Sequence, residues 1–318
     1  MKLVLPGLLR DELLPRIAAV APDATIVWYD RDGQPEAPID DAEVLLRWFF
    51  TAEQLARLVR QMPALRWLHI PRAGVDGSLI PEVLERDIIV TNSAGVHAIP
   101  ISEFVMLFAL SHVKQAPHLH QLQAAHRWRD QDLQLRELAG STMLIIGLGQ
   151  IGQAIAERAS AFGMRVWGSR RTPRPTPGVE RVVGEGEWRS LLPAADFVVI
   201  ATPLTPATRH MFGRAELALM KTDAYLINIA RGEIIDEAAL IEALGERRIA
   251  GAGLDVFAQE PLLPDSPFWT LPNVFVTPHV SWSSPHIWSR TLDLFATNLR
   301  AFLQQQPMIN VVDKQAGY

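Results

Sequence analysis

Residues 142–171 read TMLIIGLGQIGQAIAERASAFGMRVWGSRR, and this stretch restricts the possible folds more than any other in the chain. An apolar run at 143–146 suits a strand buried on both faces. Gly147, Gly149 and Gly152 follow at once in the G-x-G-x-x-G spacing. Ile151, Ala154, Ile155, Ala159 and Phe162 then recur at helical intervals until Gly163, which suits a helix end. A second apolar run at 165–168 predicts another strand. In such a unit Gly147 permits the tight turn, Gly149 lets backbone approach a pyrophosphate, and Gly152 lets helix and strand pack closely. The helix start, at Gln150 and Ile151, offers free N–H groups and a positive dipole end to an anion. Three glycines alone say little. Strand, glycine turn, helix and strand in order predict a dinucleotide site, the alternative being a parallel-sheet turn that binds nothing.

The end of the second strand selects the dinucleotide. NAD-binding units usually carry Asp or Glu about 20 residues after the first glycine, to hold the ribose hydroxyls. Here the place holds Ser169, Arg170 and Arg171, with Arg174 close behind. A carboxylate would repel a 2′-phosphate, whereas a serine hydroxyl and guanidinium forks suit one. The expectation is NADPH ahead of NADH, which remains a weaker alternative. A solvated basic turn is the competing reading.

Bulk properties narrow the class. The 318 residues suit two domains, and 48% apolar residues suffice for sizeable cores. Apolar runs fall short of a membrane span, and the first residues, MKLVLPGLLRDE, turn charged too soon for a secretory signal. A net charge of −5 offers no field for nucleic acid or an anionic membrane. With no cysteine, thiol catalysis and disulfides are excluded and a cytoplasmic setting is expected. No His/Asp/Glu cluster shows metal-ligand spacing, so no metal is expected.

Short apolar runs at 3–5, 25–29, 44–48, 67–70 and 88–91 predict strands, with helices at 12–20 and 52–61. This is a small doubly wound α/β layer. A largely apolar helix at 99–114 and a polar stretch at 115–138 lead to the glycine turn. Beyond it, strands are expected at 197–201, 224–228, 251–256 and 274–277, with helices at 214–220 and 237–247. That is a Rossmann-type doubly wound parallel sheet. The last helix, 285–304, is expected to return and complete a flavodoxin-like α/β substrate domain. The expected division is 1–97 with 285–318 for substrate and 98–284 for the dinucleotide, with a cleft and hinge between them.

Polar residues stand at the ends of the later strands: Arg231 in LINIARGEIIDEAAL, Asp255 and Glu260 in GAGLDVFAQEPL, and His279 in VFVTPHVSW. Ligands gather at the carboxyl ends of parallel strands, so these four should converge. Hydride delivery to a ketone leaves charge on oxygen. A histidine can supply the proton, and a nearby carboxylate favours its protonated form. An arginine can hold an oxyanion and a carboxylate with its fixed fork of donors. Taken singly, Asp255 and Glu260 read as turn acids and His279 as an ordinary histidine after a strand. His69 and His97 are read as structural.

The chain resembles the D-2-hydroxyacid dehydrogenase family over almost its whole length. GLGQIG, ATPLTPATRHMF, LMKTDAYLINIARGEIIDEAALIEAL, GAGLDVFAQEPL and TPHV fit the family's pattern in order, as do AGVD and ISE in the first half. The resemblance implies that Arg231 binds substrate, that His279 is the acid/base and that Glu260 is its partner. It implies that Asp255 bonds the nicotinamide carboxamide, and that Thr202, Pro203, Thr208 and the Ile229–Ala230 backbone line the cofactor. The Ala73, Gly74 and Val75 loop would offer N–H groups to the substrate carboxylate. A homodimer through the nucleotide domain, built on the 99–114 helix and the arm after it, is implied as well. Within the family the compact chain and Ser-Arg-Arg turn resemble glyoxylate/hydroxypyruvate reductases. Formate dehydrogenases place Gln where Glu260 stands, which argues against formate.

Departures from the pattern concern the pocket. Ser281 and Trp282 follow His279 where two small residues are usual. Trp282 either narrows the substrate pocket or covers the nicotinamide, or packs away from it. Arg47 and Trp48 are expected to face the cleft at a strand end. Arg47 and Arg72 are read as solvated arginines, the alternative being entry into the pocket to meet a second anionic group. Some proteins resembling the family act as dinucleotide-sensing corepressors or scaffolds without significant turnover. The full Arg231, Glu260 and His279 set argues against that alternative.

Overall fold

The computed structural model describes residues 1–48, 50–75, 77–128 and 133–317. Asp76 of the AGVD segment and residues 129–132 of the polar stretch lie outside the described residues. The chain divides into two compact units, Met1–His97 with Ser284–Tyr318, and Ala98–Ser283.

In the first unit β1 (Lys2–Pro6), β2 (Thr25–Tyr29), β3 (Val44–Leu46), β4 (Trp67–Ile70) and β5 (Ile89–Asn92) form a parallel sheet. Their order, β2-β1-β3-β4-β5, is that of flavodoxin-like doubly wound folds. Helices cover both faces of such a sheet, so its strands carry unbroken apolar runs: Leu3, Val4 and Leu5 have no exposed surface. The helix Ala52–Arg60 opens on a capping box, Thr51 with Gln54, which satisfies two of its free N–H groups. The C-terminal helix Ile287–Leu303 adds Leu292, Phe295 and Leu299 to this unit's core. Phe295 stacks on Trp67 at 5.0 Å, and Asp293 accepts from Arg16 at 2.7 Å.

One strand end departs from the sequence reading. β3 stops at Leu46, and Arg47 beyond it is 3% exposed rather than solvated. Its Nη1 donates to Ser78 Oγ at 2.8 Å and its Nη2 to the Phe50 carbonyl at 2.7 Å. Burial and the neighbouring Arg72 charge pull its pKa down to about 10. Arg72 itself is exposed.

His69, on β4, has no exposed surface. The Trp67 indole donates to Thr91 Oγ1 at 2.8 Å, and His69 Nδ1 shares a hydrogen bond with the same hydroxyl at 2.7 Å. The other ring nitrogen shares a hydrogen bond with Ser93 Oγ at 3.1 Å. The ring is a satisfied neutral imidazole, in keeping with its structural reading.

The second unit is a seven-stranded parallel sheet of β6 (Thr142–Ile146), β7 (Arg165–Ser169), β8 (Arg181–Val183), β9 (Phe197–Ile200), β10 (Tyr225–Asn228), β11 (Gly251–Leu254) and β12 (Val274–Val276). The order β12-β11-β10-β9-β6-β7-β8 is the Rossmann arrangement with one further strand. β8, a helix at Ala116–Ala124 and a 3₁₀ segment at Glu187–Ala194 were not read from sequence. The helix after the glycine turn runs Gln150–Ala161, so Phe162 lies just past it, 45% exposed. No helix among the described residues is long and apolar enough to cross a membrane.

Burial pushes the His69 pKa down to about 3, below its ordinary value of 6.5. Above pH 6.5 both folded and unfolded chains hold it neutral and stability is complete. As pH falls from there toward 3, the unfolded chain takes up a proton that the folded one refuses, and stability is lost. Urea unfolding at pH 7.5 and 4.5 should therefore show a smaller loss in His69→Gln than in the wild type. Equal losses in the two proteins would contradict this assignment.

Candidate active site

The second unit lays its chemistry along the carboxyl ends of adjacent strands. In sheet order these ends carry Ser169–Arg171 after β7, the glycine turn after β6, Thr202 and Pro203 after β9, Ile229–Arg231 after β10, Asp255 and Glu260 after β11, and His279 after β12. Neighbouring strands lie about 4.8 Å apart, so five steps from β7 to β12 span roughly 24 Å.

At the glycine turn Gly147 has φ +109°, and a Cβ there would meet the Ala201 carbonyl at 2.6 Å. A Cβ on Gly152 would sit 2.0 Å from the Gly147 carbonyl oxygen, so helix and turn touch through bare backbone. Gly149 differs: nothing lies within 4 Å of the Cβ position, and it caps the helix without a side-chain hydrogen bond. That open space before unsatisfied N–H groups fits a pyrophosphate. The Gly147 and Leu148 N–H groups both donate to the Ser169 carbonyl, at 3.1 and 2.8 Å. The end of β7 is thereby tied to the turn. Ser169 is buried, Arg170 half-buried, and Arg171 and Arg174 exposed, a basic edge that fits a phosphate.

Thr202 and Ala230 are half-buried, Pro203 is exposed, and Ile229 is buried. The Thr208 hydroxyl is 2.7 Å from both the Thr205 N–H, which donates to it, and the Pro203 carbonyl, to which it donates. Thr208 thus braces its own loop. Asn228, 1% exposed, braces the next: its Oδ1 accepts from Ala230 N–H at 3.0 Å and its Nδ2 donates to the Arg231 carbonyl at 2.9 Å. Arg231 Nη1 donates to the Ala230 carbonyl at 2.7 Å. A Cβ on the following Gly232 would lie 1.9 Å from the Phe257 carbonyl carbon, so the Arg231 turn stands directly against the 257–260 turn.

His279 and Glu260 meet. His279 Nδ1 lies 2.6 Å from Glu260 Oε2, and a carboxylate can only accept, so Nδ1 carries the hydrogen. Glu260 Oε1 accepts from the Phe257 N–H at 3.0 Å, which fixes the carboxylate. The His279 side chain keeps 38% of its surface exposed. Glu237 lies behind this pair, accepting from the Ala258 N–H at 2.7 Å. Burial, then the Glu233 and Glu260 charges, hold its carboxyl above the usual range.

Asp255 has no exposed surface. Its Oδ1 accepts from the Thr277 hydroxyl at 2.6 Å and the Val280 N–H at 3.0 Å, and its Oδ2 from the Ser281 N–H at 3.0 Å. The Asp255 carboxylate faces the 277–281 turn and anchors it. His279 sits in that turn with φ +52°, a left-handed conformation that costs a non-glycine residue about 1–2 kcal/mol. The Trp282 indole donates to the His279 carbonyl at 2.9 Å. Trp282 packs on the core that contains Phe108, Ile227 and Ile229.

In the first unit, Ala73 and Gly74 are half-buried and Val75 is buried. The Ala73 carbonyl accepts from Asn92 Nδ2 at 2.8 Å and that of Val75 from the Ser78 N–H at 2.9 Å. The loop is held through its carbonyls. Sequence reasoning missed Asn228, Thr277 and Ser78. Asn228 alone carried a signal, since Asn at a strand end commonly bonds backbone two residues on.

A Rossmann-type unit with a histidine–carboxylate pair beside an arginine turn defines a nicotinamide-linked oxidoreductase. Residues 106–281 match the family described as D-isomer specific 2-hydroxyacid dehydrogenase, NAD binding domain, and the chain belongs to that family. It is 36% identical over 260 residues to a glyoxylate reductase of Thermococcus gammatolerans, covering 80% of this chain and 78% of the relative. A D-isomer specific 2-hydroxyacid dehydrogenase from Xanthobacter autotrophicus Py2, solved with NADPH and MES, superposes with a TM-score of 0.87 at 30% identity. The match covers 100% of this chain and 99% of that one. An NADPH-dependent glyoxylate/hydroxypyruvate reductase of Sinorhizobium meliloti, solved with NADP and sulfate, gives 0.84 at 30% identity over the same shares.

Gly232→Ala should disturb this face first. Overpacking of this kind costs about 1–3 kcal/mol, so a melting temperature several degrees lower is expected, with reduced kcat. A variant that melts and turns over like the wild type would show that the two turns are not in contact.

Proposed function

We propose that this chain reduces small 2-keto acids, of the glyoxylate/hydroxypyruvate type, to D-2-hydroxy acids with NADPH. The observation that carries the reading is the 2.6 Å contact between His279 Nδ1 and Glu260, in a turn beside that of Arg231. The bound reduced nicotinamide supplies the hydride. Glu260 holds the Nδ1 hydrogen, so His279 Nε2 faces the substrate and donates its proton to the carbonyl oxygen. Arg231 holds the developing oxyanion and the carboxylate with its fork of donors. The Gly74 and Val75 N–H groups, in the loop that the resemblance assigns to substrate, donate to no described residue. Gly147, Gly149, Gln150, Ile151 and Gly152 would receive the pyrophosphate, and Thr202, Pro203, Ile229 and Ala230 would line the cofactor.

The Ser169, Arg170 and Arg171 edge supports NADPH over NADH, and the two relatives solved with NADPH or NADP favour it. A cytoplasmic homodimer joined through the second unit is part of the same reading. Ile99, Leu107 and Leu119 leave 41%, 43% and 39% of their surface exposed on the helices Ala98–Val113 and Ala116–Ala124, a feature suited to a second copy.

Initial rates of NADPH oxidation against a panel of 2-keto acids test the reaction, and no turnover across the panel would end it. His279→Ala should lower kcat by about 10²–10⁴-fold with cofactor affinity largely kept. Arg170→Ala and Arg171→Ala should each raise KM for NADPH and leave NADH kinetics little changed. Equal kcat/KM for the two cofactors in the wild type would remove the NADPH assignment.

A further inference from the structure

We infer that Trp282 is a positioning residue for His279, acting through its indole N–H on the histidine's own backbone; this rests on His279 being the acid/base proposed above. His279 is held at φ +52°, a region that side-chain-bearing residues leave unless their surroundings over-determine it. The surroundings here can be named. Upstream, the Thr277 N–H donates to the Leu254 carbonyl at 2.9 Å and the Thr277 hydroxyl to Asp255 at 2.6 Å. The His279 N–H donates to the Thr277 carbonyl at 3.1 Å. Downstream, Val280 and Ser281 give their N–H groups to Asp255, and the Ser283 N–H returns to the Val280 carbonyl at 2.8 Å. These bonds fix Thr277 two residues before His279 and Val280 directly after it. Its own carbonyl is fixed by the Trp282 indole, at 2.9 Å.

The geometry gives that bond leverage on the ring. Rotating the 279 peptide out of the left-handed region swings the Cα–Cβ bond and carries the imidazole away from Glu260. An N–H donated to the 279 carbonyl opposes this rotation. The indole can do so because its ring is seated against the apolar core, so the donor does not drift. The ring packs on the core that contains Phe108, Ile227 and Ile229, and the indole N–H has a task besides packing. The ring packs inward and its N–H reaches back three residues to the turn that carries the acid/base.

The test separates bond from bulk. Trp282→Phe keeps an aromatic ring, smaller than the indole, and removes the donor. One net hydrogen bond corresponds to roughly a three- to tenfold rate effect, so kcat should fall by that much while KM for NADPH stays within about twofold. A kcat equal to wild type would overturn the inference, as would a loss seen only in Trp282→Ala, which removes the ring as well. Two readouts do not need turnover. In ¹H–¹⁵N spectra of the histidine rings, the His279 Nδ1–H resonance, identified by its absence in His279→Ala, should sit far downfield in the wild type. It should move or broaden in Trp282→Phe, and an unchanged resonance would overturn the inference. In the unmodified protein the Trp282 indole N–H should be protected from solvent exchange, and exchange at the free-indole rate would overturn it even if the variants fail to fold. A wild type that reduces no 2-keto acid would end the proposed function, while the spectra and the exchange rate would still decide the part played by Trp282.

Discussion

A carboxylate taken wholly out of water is costly unless its oxygens are filled by donors, and Asp255 is such a group. The donors come from Thr277, Val280 and Ser281, which bracket His279 on both sides. Satisfying the buried charge and shaping the histidine turn are therefore one event. The strained backbone of His279 persists because undoing it would strand an ionised group in the protein interior. Glu260 then needs only to meet a ring whose place is already set, and its second oxygen is taken by the Phe257 N–H.

The sheet does the coarser placement. Seven parallel strands put every carboxyl end on one edge, so loops far apart in sequence become neighbours at strand spacing. β10, β11 and β12 are adjacent, and they deliver Arg231, Glu260 and His279 in that order. The bare backbone of Gly232 against Phe257 brings the first two turns into contact. Connectivity supplies proximity, and buried hydrogen bonds supply orientation.

Much of this was legible in the sequence because parallel strands must be apolar throughout and glycine spacing is sterically exacting. LVLP, TIVWY and TMLII each become a strand, and the turn at Gly147–Gly152 has the bare-backbone contacts that its spacing implied. Short or edge elements were hidden. RVV, at the rim of the second sheet, is too brief to show a period, and the helix at Ala116–Ala124 carries only Leu119 and Leu122 as large apolar residues, too few to show one. Arg47 misled because an arginine after a strand reads as solvated, yet Ser78, thirty-one residues away, draws it inside. The bonds of Asp255 were hidden for a similar reason: no pattern announces that a strand-end acid will turn toward a neighbouring loop. At the site, residue types and order were visible, while the bonds that orient them join positions whose separation carries no signal.

The tie between the glycine turn and the end of β7 runs from the Gly147 and Leu148 N–H groups to the carbonyl of Ser169, backbone to backbone throughout. Side chains at 169, 170 and 171 hang from a frame that does not depend on them. The lettering of that rim can be rewritten, acid for base or long for short, with the anion cradle beside it left standing.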